Sequence, residues 1–356
     1  MRWSKDGSMD QQRRPEWSSN TMIETVVSVT LPVEEKLEIK KQRILPVELK
    51  DDMKRISIET GIHGDELEGQ FVCYELIRRI QENRECLKGI VDIYPALNPL
   101  GIDSITRGFP AFELDMNRIF PGSEDGSMAE HIAARIVGDL KGSDACVDIH
   151  ASNIFLREVP QIRVSEQTAE NLLPLAHYLN MDFIWVHSSA TVLQSTLAHT
   201  LNSLGTPTFV VEMGVGMRIT QNYGYQLVEG ILCLMKEMGL WTGEVTQPRQ
   251  PILSQNPEDV SFINAAESGI FIPAVPHCAY LKEGEPIGDI VDPLSGNLLE
   301  RIPCPCNGVV FTIREYPVVN EGSLIARILA MPMEEAKQYE AVQLSALSKR
   351  NGEVLQ

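Results

Sequence analysis

No CxxC pair occurs among the cysteines, which number seven and lie scattered at positions 73, 86, 146, 233, 278, 304 and 306. That argues against a disulfide framework and for a reducing compartment, so the cytoplasm is the expected location. No apolar run reaches the ~18 residues that a bilayer-spanning helix needs. Basic residues are scarce: 31 Lys and Arg stand against 49 Asp and Glu, a net charge of -18. A surface that acidic repels phosphate backbones and anionic lipid, so neither nucleic acid nor a membrane surface is an expected partner. Small anionic substrates stay open, because a few local arginines override a global field at short range. There is no P-loop and no basic–aromatic stripe. Gly214 and Gly216 follow a strand but lack the third glycine of a dinucleotide fingerprint. The polar N-terminus has no apolar stretch behind its basic residues and does not read as a secretory leader. Residues 1–24 are expected to be disordered.

What is present is ordinary globular material. The 356 residues, 43% hydrophobic and 22% charged, suffice for a sizeable core and about two domains. Residues 25–46 are rich in β-branched side chains and read as a hairpin. From 55 to 238 strands and helices alternate. Strands are expected at 55–60, 89–94, 144–150, 182–187 and 208–212. Helices are expected at 66–81, 127–139, 165–179, 195–203 and 222–238. In the first helix Leu67, Phe71, Tyr74, Ile77 and Ile80 recur at spacings of three and four, which marks an amphipathic face. Repeated βα units imply an α/β fold: a mixed, largely parallel sheet with helices on both faces. Residues 96–126 form a long, aperiodic loop, the kind that usually carries function. Near 245 the texture turns Pro- and Gln-rich, as in a linker. Short β segments follow at 269–273, 285–291, 308–314 and 323–329, which suggests a small all-β barrel or sandwich. The expected division is therefore a catalytic domain over 25–244, a C-terminal β domain over 245–333 and a frayed tail over 334–356.

In such sheets ligands gather beyond the carboxyl ends of the strands. Four strand ends there carry chemistry. His63 and Glu66, in Gly-Ile-His-Gly-Asp-Glu, lie three apart across a tight turn between a strand and a helix. His150 ends another strand in Asp-Ile-His. Two imidazoles and one carboxylate are the donor set of a catalytic zinc that keeps one position for water. The competing reading makes His63 and Glu66 helix caps and His150 a satisfied polar group. Glu212 ends a buried strand, where a carboxylate is rare unless it is used. The long loop adds Thr106-Arg107 and Asp115-Met-Asn117-Arg118, whose guanidiniums suit carboxylates. Asp148 shares a strand face with His150. It could orient a metal-bound histidine, His63 for instance, or simply cap the sheet edge. Cys304-Pro-Cys306 has no matching pair elsewhere and is discounted as a metal site. His187 and His199 are expected near solvent or a pocket rim.

The runs GIHGDELEG, NPLGIDSITRGFPAFELDMNRIFPG, DIHAS and VVEMG, in that order, resemble the succinylglutamate desuccinylase/aspartoacylase family, relatives of the M14-type zinc carboxypeptidases. The resemblance covers roughly residues 55–330. It implies a hydrolase of amide bonds with one zinc per chain on His63, Glu66 and His150. It makes Glu212 the general base toward a zinc-bound water, and Arg107 the group that polarises the scissile carbonyl. Asn117 and Arg118 become the grip on a substrate carboxylate. The implied substrate is a small, carboxylate-bearing N-acyl amino acid or related amide; a homo-oligomer stays open. A metallocarboxypeptidase for short peptides is the nearest alternative, and a non-catalytic metal-binding protein on the same fold is another. One departure bears on the substrate. Aspartoacylase-type members carry a further arginine before the catalytic Glu, whereas residues 188–206 here hold no Arg or Lys. Arg157, Arg163 or Arg218 are the candidates to replace it.

Overall fold

The computed structural model describes residues 21–110, 113–188 and 194–336. The expected disorder over 1–20 and the expected frayed helix beyond 336 lie outside them. The first strand already begins at Thr21, so 21–24 are ordered, contrary to expectation. In chain order the first part comprises β1 (Thr21–Thr30), β2 (Lys36–Ile44), β3 (Arg55–Thr60), α1 (Glu68–Glu82), β4 (Ile90–Tyr94), α2 (Pro99–Ser104) and α3 (Met128–Leu140). It continues with β5 (Ala145–Ala151), β6 (Leu156–Ser165), α4 (Ala169–Ala176), β7 (Phe183–His187), α5 (Leu197–Ser203), β8 (Thr208–Gly214) and α6 (Gln221–Glu237). Then come β9 (Ile252–Ser254), β10 (Val260–Asn264), β11 (Gly269–Pro273), β12 (Tyr280–Leu281) and β13 (Pro286–Asp292). The last are β14 (Asn297–Pro303), β15 (Gly308–Arg314), β16 (Val318–Val319) and β17 (Leu324–Ala330). No helix among the described residues is long and apolar enough to cross a membrane.

The main sheet runs β1-β2-β4-β3-β5-β8-β6-β15-β17-β10, with β7 and β9 branching from β6. Its centre, β4-β3-β5-β8, is parallel, as expected of βα units. The helices cover both faces. On one, Val72, Leu76 and Ile80 of α1 and Leu227, Ile231 and Leu234 of α6 pack on Ile58, Val147 and Val211. On the other, Ile132 and Ile136 of α3 and Leu197 and Leu201 of α5 pack with Ile39, Tyr94 and Cys146. The buried stripe of α1 is therefore one step round from the expected one. Tyr74 is 61% exposed, and Val72, Cys73 and Leu76 take the inner face. Ser127 and Glu130 form a reciprocal cap at the start of α3, which fixes where the long loop ends.

Two features depart from the sequence reading. The helix expected at 165–179 is shorter and follows β6, a ten-residue strand. Pro160 hides that strand in the sequence, since proline cannot donate to a ladder, and the β6–β8 register slips between Glu158 and Gln161 around it. Nor is the C-terminal β part wholly separate. A four-stranded antiparallel sheet, β14-β13-β11-β16, stands on its own, but β15 pairs antiparallel with β6 and so extends the main sheet. A core of Phe271, Ile287, Ile290, Ile302, Val310 and Ile328 joins the two sheets. The expected linker contributes β9, which pairs with β7.

Candidate active site

The turn after β3 is built to crowd polar groups together. Gly61 adopts φ +72°, a left-handed conformation that side chains disfavour. Gly64 lies so close to α2 at Gly101 that an added Cβ would stand 2.0 Å from backbone. The turn thereby places His63 and Glu66 before α1 begins, above the ends of β3 and β5. His63, Glu66 and His150 are all buried, and one donor atom from each lies within 4.8 Å of the others.

The contacts inside this cluster are directional. Nδ1 of His63 is 2.8 Å from Oε1 of Glu66, yet it is buried without hydrogen-bond geometry to any partner. Nδ1 of His150 is 2.9 Å from Oε2 of Glu66, which also accepts the Ala151 N–H at 3.1 Å. Behind each ring stands a second carboxylate. Nε2 of His63 is 3.0 Å from Oδ1 of Asp115, and Nε2 of His150 is 2.9 Å from Oδ1 of Asp148. Asp148 thus serves His150, not His63, while the loop residue Asp115 serves His63. The sequence reading named Asp115 only as part of a motif. Burial works against charge on Glu66, but the two imidazoles outweigh it and hold its carboxyl well below the usual range. Burial likewise opposes charge on His150, and Asp148 and Glu66 outweigh it. Glu59, the cross-strand partner of Asp148, is fully buried; burial first and the Asp148 charge second push it far up.

This donor set fits a divalent cation. Two imidazole Nδ1 atoms converge on one carboxylate, one of them without a hydrogen bond. Each outer nitrogen faces a carboxylate, Asp115 within hydrogen-bond geometry and Asp148 at ion-pair distance, the usual surroundings of metal-bound histidine.

Around the cluster is a cavity of about 260 Å³. Arg107, Asn117, Arg118 and Glu212 all line it. Arg107 Nη1 donates to Glu66 Oε1 at 2.7 Å, and its Nε is 3.5 Å from Asp115 Oδ2. Asn117 accepts the Leu197 N–H on Oδ1 at 2.9 Å, which ties the loop to the start of α5. Arg118 donates to the Asn117 carbonyl at 2.7 Å and has no carboxylate within ion-pair distance among the described residues. Glu212 is the cross-strand partner of His150. Its Oε1 accepts from Arg163 Nη1 at 3.1 Å; burial raises its carboxyl above the usual range, and Arg163 pulls against that rise.

Two further arginines stand in this wall: Arg163, one of the candidates to replace the missing substrate arginine, and Arg327, which the sequence did not single out. Arg163 Nη2 donates to Glu158 at 3.1 Å, and Arg327 of β17 donates to the same Glu158 oxygen at 2.6 Å. Arg327, Glu158, Arg163 and Glu212 thus form a chain of alternating charge from the C-terminal strands to the cavity. Arg157 is engaged by Glu315 at 3.0 Å, and neither it nor Arg218 lines the cavity. His187 and His199 do line it. The Cys304 thiol donates to the Cys306 carbonyl at 3.1 Å, and all seven cysteines are free.

The succinylglutamate desuccinylase/aspartoacylase catalytic domain matches residues 52–238. Over 282 residues the chain is 27% identical to the N-alpha-acetyl-L-2,4-diaminobutyric acid deacetylase of Halomonas elongata, covering 75% of this chain and 80% of that protein. In structure it is similar to the product-bound ectoine utilization protein EutE (DoeB) of Ruegeria pomeroyi, with a TM-score of 0.76 at 17% identity, over 88% of this chain and 97% of that one. A succinylglutamate desuccinylase/aspartoacylase from Rhodobacter sphaeroides aligns with a TM-score of 0.73 at 21% identity, over 86% and 94% of the two chains. Such distant structural likenesses bear on the fold, whereas the domain match covers just over half of the sequence and includes every cluster residue. The chain belongs to the succinylglutamate desuccinylase/aspartoacylase family, a family of deacylating hydrolases.

Proposed function

We propose that this protein is a zinc-dependent deacylase of small N-acyl amino acids. The observation that carries the reading is the position of Glu212. It lies on the strand beside His150, facing the cavity that holds the His63–Glu66–His150 cluster. A protein that only stored a metal would need the three donors and nothing more. Zinc on those donors would supply a Lewis acid and a water of lowered pKa.

The remaining work falls to the chain. Glu212 takes the proton of the attacking water and delivers it to the amide nitrogen as the C–N bond breaks. Arg107 stands at the edge of the cluster and donates to the carbonyl oxygen as charge develops there. Donors of that kind are worth ~3 kcal/mol in the transition state. Arg118, with most of its fork free of carboxylates, holds the substrate carboxylate together with Asn117. Asp115 and Asp148 keep both imidazoles oriented. Arg327 brings the C-terminal strands into the cavity wall, which favours small amides over peptides and so disfavours the carboxypeptidase alternative.

The test combines metal content with one isosteric change. The purified protein should hold about one zinc per chain, lost in His63→Ala and His150→Ala. Glu212→Gln should keep the zinc while kcat falls at least ~10²-fold. Loss of metal in Glu212→Gln would make Glu212 a ligand and overturn the assignment.

A further inference from the structure

We infer that the cavity carries a pocket for the side chain of the released amino acid, and that this pocket admits an uncharged side chain of medium size. The inference rests on the deacylase reading above and adds the substrate class. Its basis is the register of four strands. His150, Glu212 and Gln161 stand side by side across β5, β8 and β6. Two residues further on, Asp148, Val210, Arg163 and Trp185 form a second row that extends to β7. Two residues beyond that come Thr208 on β8 and Ser165 on β6, the latter opposite His187. Side chains on one strand face recur every second residue, so these rows floor one continuous surface. From Glu212 to Thr208 it extends about 13 Å at ~3.3 Å per residue. Val210, Ser165, Thr208 and His187 all line the cavity, as do Ala198 and Asn202 of α5, the helix packed against β8. The far end is closed where Asn202 exchanges two hydrogen bonds of 3.0 Å with the Thr208 backbone.

The carboxylate grip decides what enters. Asn117 is pinned to the first residue of α5, so a substrate carboxylate held by Asn117 and Arg118 sits beside that helix. The carbon bearing the carboxylate then projects its side chain along the floor beneath α5. The pocket offers no spare carboxylate, lysine or arginine. The described segment above the floor, residues 194–206, contains no Asp, Glu, Lys or Arg, and on the floor Asp148 faces His150. Arg163 is committed to Glu212 and Glu158, and Arg327 to Glu158. An acidic side chain would have to draw Arg163 away from Glu212. A cationic one would be buried against both arginines. An uncharged chain of about four to seven heavy atoms, which fits the ~13 Å floor, meets Val210, His187 and small hydroxyls instead.

The experiment is a matched panel of N-acetyl and N-succinyl derivatives of alanine, methionine, glutamine, phenylalanine, aspartate, glutamate and 2,4-diaminobutyrate with the zinc-loaded enzyme. In the better acyl series, kcat/KM for methionine, glutamine or phenylalanine should exceed that for alanine and for all three charged residues at least ~10-fold; a single methylene in an apolar pocket is worth roughly that or more. Ser165→Phe and, independently, Val210→Phe should lower the methionine-to-alanine ratio by a similar factor, whatever they do to the alanine rate. Fastest hydrolysis of an aspartate, glutamate or diaminobutyrate derivative would overturn the pocket and leave the deacylase reading standing. So would an unchanged ratio in both variants. Hydrolysis of no member would remove the deacylase reading and the pocket with it.

Discussion

Oδ1 of Asp148 lies 2.9 Å from Nε2 of His150, so the ring nitrogen turned away from the cluster faces a carboxylate two residues back on the same strand. Asp115 does the same for His63 from a loop 52 residues away in sequence. Both contacts leave Nδ1 pointing at Glu66. A carboxylate in that position fixes the tautomer and strengthens the imidazole as a donor.

Replacing either carboxylate by its amide should therefore weaken metal binding without removing a ligand. Asp115→Asn and Asp148→Asn are expected to lower zinc affinity by about 10–100-fold each. Competition with a chelator of known affinity would measure it. Affinity unchanged in both variants would mean that the two carboxylates act only as structural partners.

The fold and the three cluster residues were legible because each sits where a strong local pattern ends. His63, Glu66 and His150 close β-branched runs, and the βα alternation says which end of the sheet they share. Asp148 was visible too, but β3 and β5 are adjacent, and sequence could not say which of their histidines it would meet. Asp115 carried no periodicity to place it. Arg163 lay on a strand masked by Pro160 and its register slip, so its bond to Glu212 could not be read. Arg327 was illegible for a topological reason. Only the pairing of β15 with β6 brings the C-terminal strands to the cavity, and a change in composition near 245 suggested the opposite. The inner face of α1 was misjudged because aromatic spacing favoured Tyr74, while close packing on the sheet selects the smaller Val72 and Cys73.

Arg163 joins Glu212 to Glu158, and its removal would leave both carboxylates short of a partner. Hydrogen bonds to charged groups contribute ~1.5–3 kcal/mol, or roughly 10- to 150-fold. Arg163→Met is expected to reduce kcat within that range, with a smaller change in KM and full zinc content. Arg163→Lys, which restores the charge but not the fork, should recover only part of the loss. Steady-state kinetics with parallel metal analysis checks this. A variant with wild-type kcat would show that Glu212 needs no partner on β6.

A second charged group, remote from the cavity, governs acid stability. Lys41, only 2% exposed, is 2.7 Å from Asp139, which also accepts from the Tyr94 hydroxyl at 2.6 Å. Burial raises the Asp139 carboxyl, but Lys41 and Tyr94 outweigh it, so its folded pKa lies below the usual value. A depressed carboxylate stabilises the fold above its unfolded pKa of about 3.9 and loses that contribution as pH falls through the folded value. Asp139→Asn should therefore cost about 1–3 kcal/mol at pH 7. The gap in thermal stability between variant and wild type should hold down to about pH 5 and narrow below about pH 4. A gap that widens in acid would reverse the sign of the argument.

Arg118 offers the most direct test of substrate polarity. The protein carries a net charge of -18, so an anionic substrate must be held by local cations against the field of the whole molecule. Among the arginines lining the cavity, Arg107 is engaged by Glu66, Arg163 by Glu212 and Glu158, and Arg327 by Glu158. Arg118 alone of these four makes no direct ion pair among the described residues, its charge reaching Asp115 only at longer range, and its bond to the Asn117 carbonyl aims it rather than neutralises it. Its grip on a carboxylate would exist in the ground state and the transition state alike, so Arg118→Ala should act mainly on KM. A further loss in kcat follows if the amide is left misaligned above the cluster. A charge-assisted pair is worth ~1.5–3 kcal/mol, or about 10- to 150-fold in affinity. The measurement compares an N-acyl amino acid with its carboxamide. With wild-type enzyme kcat/KM should differ by about that factor, and with Arg118→Ala the difference should collapse. Equal rates on both substrates with wild-type enzyme would show that Asn117 and Arg118 do not read a carboxylate, and the substrate class would then have to be one without it.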